Sequence, residues 1–171
     1  MIRRTARVLR RRDGATAVEW AVIMAPFLTL CFGIIETAMM FFVAATLEGQ
    51  VEKAARQIRT GVVQQSGNPE RTFRRLLCTD SFIDCKEVLV DVRTFPNFAS
   101  ITYPDFFDQD GQATSPSFRA GNAGDIVVVR VAYPWQMLTP FMGRLLADTG
   151  SSTKMLNAAA VFRSEPYSGA V

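Results

Sequence analysis

Residues 21–47 read AVIMAPFLTLCFGIIETAMMFFVAATL, 27 positions with a single ionisable acid, Glu36. At about 1.5 Å of rise per residue a helix of this length reaches about 40 Å, more than the roughly 30 Å hydrocarbon core of a bilayer. The stretch is long enough to span. A removable secretory signal has an apolar core of only about 7 to 15 residues. Val43, Ala44 and Ala45 mimic its cleavage site, but the length of the run and the acid inside it argue against removal there.

Charge gives the span a direction. Arg3, Arg4, Arg7, Arg10, Arg11 and Arg12 precede it with only Asp13 to offset them, a local balance of +5. After Gly14 the chain has 13 basic and 15 acidic residues, a balance of −2. A nucleic-acid-binding surface spreads its cations over a folded face among aromatics. Here they sit in one tail before an apolar run, the pattern that keeps a flank in the cytoplasm while the rest is carried across.

The helical pattern continues beyond the apolar run. Val51, Ala54, Ala55, Ile58 and Val62 recur at helix spacing, with Glu52, Lys53, Arg56, Gln57 and Arg59 between them. One rod is expected from about Ala15 to Arg59, roughly 68 Å long, with Gly61 positioned as its C-cap. Its first half is apolar all round; its second half is amphipathic and needs a globular domain to lean on. Pro26 either kinks the rod or is accommodated as a membrane proline. Ala21, Ala25, Thr29, Gly33 and Thr37 form a small-residue ridge that suits an oblique helix crossing, unless it reflects only an alanine-rich span.

Immediately before the span stand Arg10-Arg11-Arg12-Asp13-Gly14 and then Ala15-Thr16-Ala17-Val18-Glu19-Trp20. A cut after Gly14 would make Ala15 the new N-terminus and Glu19 the fifth residue. This arrangement resembles type IV prepilins and, more closely, the TadE-like pseudopilins of the tight-adherence (Flp) pilus machinery. The Phe32-Gly33-Ile34-Ile35-Glu36 stretch is similar to that family too, as are residues 118–135 in the middle of the chain and 160–167 at its end.

The resemblance implies cleavage between Gly14 and Ala15 by a membrane prepilin peptidase. It also implies a minor-subunit role in pilus assembly and cell adhesion, alongside other pseudopilins, the major pilin and the inner-membrane assembly platform. The chain would sit in the bacterial inner membrane with its N-terminus cytoplasmic and its C-terminal domain periplasmic, or be incorporated into the pilus. Membrane lipid is the other expected partner; nucleic acid is not one.

Physical chemistry supplies a reason for Glu19. A new amine at Ala15 would be poorly solvated near lipid, and a carboxylate one turn along can neutralise it in the same subunit or a neighbour. The alternative is a glutamate that merely favours a helix N-terminus. Glu36, 17 residues on and about 260° around the helix, lies on another face. Contact with a partner subunit is the preferred reading of Glu36, with pairing inside the chain as the alternative.

The expected organisation is a basic leader over 1–14, an N-terminal helix over 15–61 that spans the membrane to about 47, and an exported α+β domain over 62–171. In that domain residues 68–78 carry helix signals at Pro69 and Glu70, with Phe73, Leu76 and Leu77 on the apolar side. Residues 86–95, 125–133 and about 154–163 read as strands, with a short helix over 138–147. Helices followed by neighbouring strands predict an α+β, pilin-like unit whose small antiparallel sheet packs on the rod.

Cys78 and Cys85 would meet in an oxidising compartment, where a disulfide is expected, while Cys31 stays a buried apolar residue in the span. The stretch 94–117 is expected to be a long loop whose Phe95, Phe98, Tyr103, Phe106 and Phe107 cover the sheet, with a docking surface as the alternative. Asp108-Gln109-Asp110-Gly111 resembles the start of a calcium loop, but Arg119 stands where its twelfth-position acid belongs.

With no histidine in 171 residues, Ser/His/Asp and Cys/His nucleophile systems and His-ligated metal sites are excluded. No enzymatic activity, metal or cofactor is expected. The rival to the pseudopilin reading is an uncleaved single-pass protein whose exported domain binds a ligand or scaffolds a secretion complex.

Overall fold

The computed structural model describes residues 15–79, 83–102, 104–106, 116–148 and 152–167. Helix α1, Ala15–Arg59, is the expected rod and continues as α-helix through Pro26. Thr29, Thr37 and Thr46 turn their hydroxyls back onto the carbonyls of Ala25, Gly33 and Phe42. Polar side chains in an apolar helix are thereby satisfied without water. Gly61, at φ +82°, takes the chain out of the rod in a conformation that side chains disfavour. A Cβ at that position would collide with the ring of Tyr167, so the far end of the chain closes over this turn.

Burial along α1 follows one stripe. Gly33, Glu36, Met40, Val43, Leu47, Gln50, Val51, Ala54, Ala55 and Ile58 are buried or nearly so, at alternating steps of about three and four. The globular part therefore reaches along the rod as far as Gly33, well into the apolar run that was expected to be lipid-compatible all round. Met40, Val43 and Leu47 belong to the core. Their stripe is hard to see in the sequence because the opposite face, Met39, Phe41 and Phe42, is apolar as well.

Helix α2, Pro69–Leu77, starts where the capping chemistry predicts. The Asn68 side chain accepts the Arg71 amide at 3.0 Å, and Pro69 occupies the first turn, where a missing N–H costs nothing. Its buried side, Phe73 and Leu77, joins the same core as the rod. The Phe73 ring meets Phe118 at 5.6 Å between centroids. Cys78, directly after α2, is bonded to Cys85. Closing so short a loop stabilises by roughly 2 to 3 kcal/mol through the entropy removed from the unfolded chain.

Three strands, β1 (Leu89–Phe95), β2 (Ile126–Gln136) and β3 (Thr153–Arg163), form an antiparallel sheet in the order β1-β2-β3. The fold is α+β, as the sequence implied. Strand β2 runs three residues further than expected, through Pro134. Pairing with β1 ends where Leu89 meets Ala132, so from there β2 is an edge strand, where a sheet accepts proline. A short helix, α3 (Pro140–Leu146), joins β2 to β3.

One face of the sheet presents Val90, Val92, Val127, Val129 and Val131 to the core shared with α1 and α2. The other face is also covered. Asp91 and Arg130, opposite each other in the register, are both buried and bonded, and Phe106 from the β1–β2 connection lies 4.6 Å from the Arg130 guanidinium. The expected covering role of that connection is met at Phe106 but not at Phe98, which stands exposed on the turn after β1, whereas Tyr103, Phe107 and the calcium-like 108–111 stretch lie outside the described residues. Residues 117–119 bond to both sides of Val92, at 2.7 and 2.8 Å, so a short parallel segment covers part of the β1 edge.

Burial alone would raise the Asp91 carboxyl. Hydrogen bonds from Arg130, Arg93 and the Ser117 amide, with the Arg93 charge, outweigh that and hold it below its ordinary value of 3.8. A carboxyl lowered by folding contributes stability that is complete above its unfolded value and is lost as pH falls through its folded value. Asp91→Asn should therefore cost about 3 to 5 kcal/mol near neutral pH, because the Arg130 charge stays buried without its carboxylate. Denaturant unfolding in micelles should show this loss shrinking as the pH drops below 3.8. A difference independent of pH would contradict the assignment.

Candidate assembly and membrane site

The functional residues read from the sequence lie along α1, and the rod gives each a different setting. Gly14 and the arginine leader lie outside the described residues. Ala15 opens α1 in the backbone. Glu19 and Trp20 follow on the exposed surface of the next turn. Glu19 is thus accessible to a neighbouring chain and to an amine at the start of its own helix.

From Val18 to Ile35 the large apolar residues are turned outward, among them Ile23, Phe27, Leu30 and Phe32. Among the described residues one helix, Thr16–Arg59, is long and apolar enough to cross a membrane. The core helix of a soluble protein can match that length and composition, but it buries its apolar side chains. Here they are bare over the first half of the rod, which in water would be a very large exposed apolar surface. Cys31 is a half-buried free thiol within this stretch.

Glu36 is different: it is only 4% exposed and its carboxylate is engaged inside the chain. It accepts the Thr139 amide at 3.1 Å, the Leu138 amide and the Thr139 hydroxyl. Thr139 is the N-cap of α3, and its own side chain makes no capping bond to the helix. The glutamate of one element thus supplies acceptors at the N-terminus of another, where backbone donors lack helical partners and the helix dipole favours negative charge. The preferred reading of Glu36 as a contact with a partner subunit gives way to the intrachain alternative. The signal available in advance was a Thr-Pro helix start downstream of a lone acid in an apolar run.

The same contact explains Gly33. A Cβ on Gly33 would lie 3.3 Å from the Met142 Cε and 3.5 Å from its Sδ, so α3 packs close against the rod at that point. Of the small-residue ridge, Gly33 is therefore met by a helix of its own chain. Between α3 and the rod an apolar groove of about 670 Å³ runs past Pro26, Leu30, Ile34 and Phe41.

At the other end of the rod, Arg59 and Glu165 form an ion pair at 3.0 Å, and the Glu165 amide bonds the Arg59 carbonyl at 2.9 Å. The pair is half exposed and contributes little by charge alone. Its effect is positional, because it sets residue 167 over the Gly61 turn. These contacts and the Asp91–Arg130 pair were not foreseen from the sequence.

No curated protein and no solved structure matches the chain. A family model described as TadE-like protein matches residues 14–56, from Gly14 through the membrane-facing half of α1 to within three residues of its end. Over this segment the chain is similar to the TadE-like family, and α1 is long and apolar enough to anchor it in a membrane.

Proposed function

We propose that the chain is a minor pseudopilin of a tight-adherence pilus, cut after Gly14 by a prepilin peptidase and acting in pilus assembly rather than catalysis. The observation that carries this reading is the TadE-like match, which begins at Gly14 and runs along the rod. A bare apolar half-rod followed by a compact domain on its far end fits a subunit that waits in a membrane and docks through its helix. In this reading the arginine leader stays in the cytoplasm, the α+β domain lies in the periplasm, and the bonded Cys78 and Cys85 suit that compartment. Its partners are the peptidase, other pseudopilins, the major pilin and the inner-membrane assembly platform.

Glu19 is the residue assigned to docking. Cleavage creates an amine at Ala15 that lipid solvates poorly, and the exposed Glu19 carboxylate one turn along can neutralise it in the same or a neighbouring subunit.

Intact-mass measurement of protein from cells with and without the peptidase tests the processing step. The wild-type chain should lose residues 1–14 only when the peptidase is present, and Gly14→Arg should retain all 171 residues. Unchanged mass loss in that variant would favour the uncleaved single-pass scaffold.

Glu19→Ala separates assembly from anchoring. The variant should be inserted and processed normally, because the Ala15 amine does not exist until the bond is cut. It should then fail to crosslink to pilus partners and fail to support pili, with Glu19→Asp intermediate. Normal pili from cells carrying only the alanine variant would overturn the docking role.

A further inference from the structure

The β2–β3 connection carries apolar side chains on both sides of a very short helix. Met142 and Leu146 face inward, against Gly33 and the core. Leu138, Phe141 and Leu145 face outward and are 75%, 57% and 62% exposed. Phe141 and Leu145 are four residues apart, so they lie on one face of α3. A short surface helix of a water-soluble domain would turn polar residues outward; one that is apolar on both faces is suited to an apolar solvent.

The position of α3 supplies that solvent. Met142 meets the rod at Gly33, 12 residues beyond Ala21 and about 18 Å along a hydrocarbon layer roughly 30 Å thick. The exposed side chains of α3 are continuous, across the groove past Leu30, Ile34 and Phe41, with the bare apolar face of the span.

Irregular backbone survives at such depth only if its polar groups are satisfied within the protein. From Met137 to Pro140 the backbone donors meet this condition: the Met137 amide bonds the Ser152 carbonyl at 2.9 Å, the Leu138 and Thr139 amides go to Glu36, and Pro140 has no donor. The buried Glu36 carboxylate in turn receives donors that lipid could not provide. Arg144 is exposed and has the reach to extend its guanidinium toward the headgroups.

We infer that the β2–β3 connection is a second membrane-inserted element: Leu138, Phe141 and Leu145 enter the leaflet on the domain side beside α1, with phospholipid acyl chains filling the groove between α3 and the rod. The occupant is lipid, on the continuity of this surface with the span. The inference needs only the membrane anchor and is independent of cleavage and of the pilus role. Its consequence is that the domain sits partly sunk in the bilayer surface, held at a fixed depth.

The test uses the full chain in vesicles of phosphatidylethanolamine and phosphatidylglycerol. In a Cys31→Ser background with the Cys78–Cys85 bond kept oxidised, single nitroxide labels are placed at Leu138→Cys, Phe141→Cys and Leu145→Cys. Ile34→Cys serves as the lipid-facing reference and Asn157→Cys as the water-facing one. Collision with oxygen and with a water-soluble nickel chelate is then measured by power saturation.

At all three positions nickel accessibility should fall several-fold below that at position 157, and oxygen accessibility should approach that at position 34. The three side chains are exposed, so a label at any one of them leaves the core intact and each position is an independent reading. Nickel accessibility equal to that at 157 would put the connection in water and overturn the inference. Low accessibility to both reagents, with dipolar broadening between labels, would overturn it in favour of a second copy of the chain.

Discussion

The structure depends on one continuous packing seam, the stripe of α1 from Gly33 to Ile58, whose first turn meets α3 and its N-cap and whose remainder shares a core with the valine face of the sheet. Leu47, Ile58, Val92, Val127, Val129 and Val131 are completely or almost completely buried there. Among the described residues the sheet has three strands, the least expected to stand by itself, and α2 has nine residues, so each brings only a small apolar surface to the core. The rod completes the core of the globular part. Anchor and domain are for this reason one folding unit, although their solvents differ.

The architecture was readable wherever one residue class dominated a local pattern. Twenty-seven nearly uncharged positions announced the span, the Asn68-Pro69-Glu70 start announced α2, and the valine run announced β2. Cys78 and Cys85 were paired by proximity and compartment, and they are bonded. The boundary between lipid-facing and domain-facing rod was not readable. An apolar residue facing lipid and an apolar residue facing a core look alike in a sequence, so the stripe through Met40, Val43 and Leu47 vanished into its background. The seam became visible only where Glu52 and Lys53 supplied contrast.

The candidate site divides on similar lines. Gly14, Ala15 and Glu19 stood out as candidates because their neighbours form a compact motif, within the segment that the TadE-like match spans. The setting of Glu36 was not legible, because its acceptor atoms are used 102 and 103 residues away, at Leu138 and Thr139. A long-range contact of that kind leaves no periodicity in the sequence. The same holds for Asp91 and Arg130, which become neighbours only when β1 and β2 pair.

A rod whose buried stripe begins at Gly33 couples two directions that would otherwise be independent. Each residue of a helix turns the chain by about 100°, so the compass bearing of any side chain upstream of the seam is fixed by the number of residues between them. Glu19 lies 14 positions before Gly33, about 40° short of four whole turns, so its bearing is about 40° from that of Gly33 and about 100° from that of Glu36. Adding or deleting one residue between them would leave the domain intact and the span long enough, yet swing Glu19 about a quarter of the way round. The length of the anchor is thus an angular specification as much as a measure of thickness.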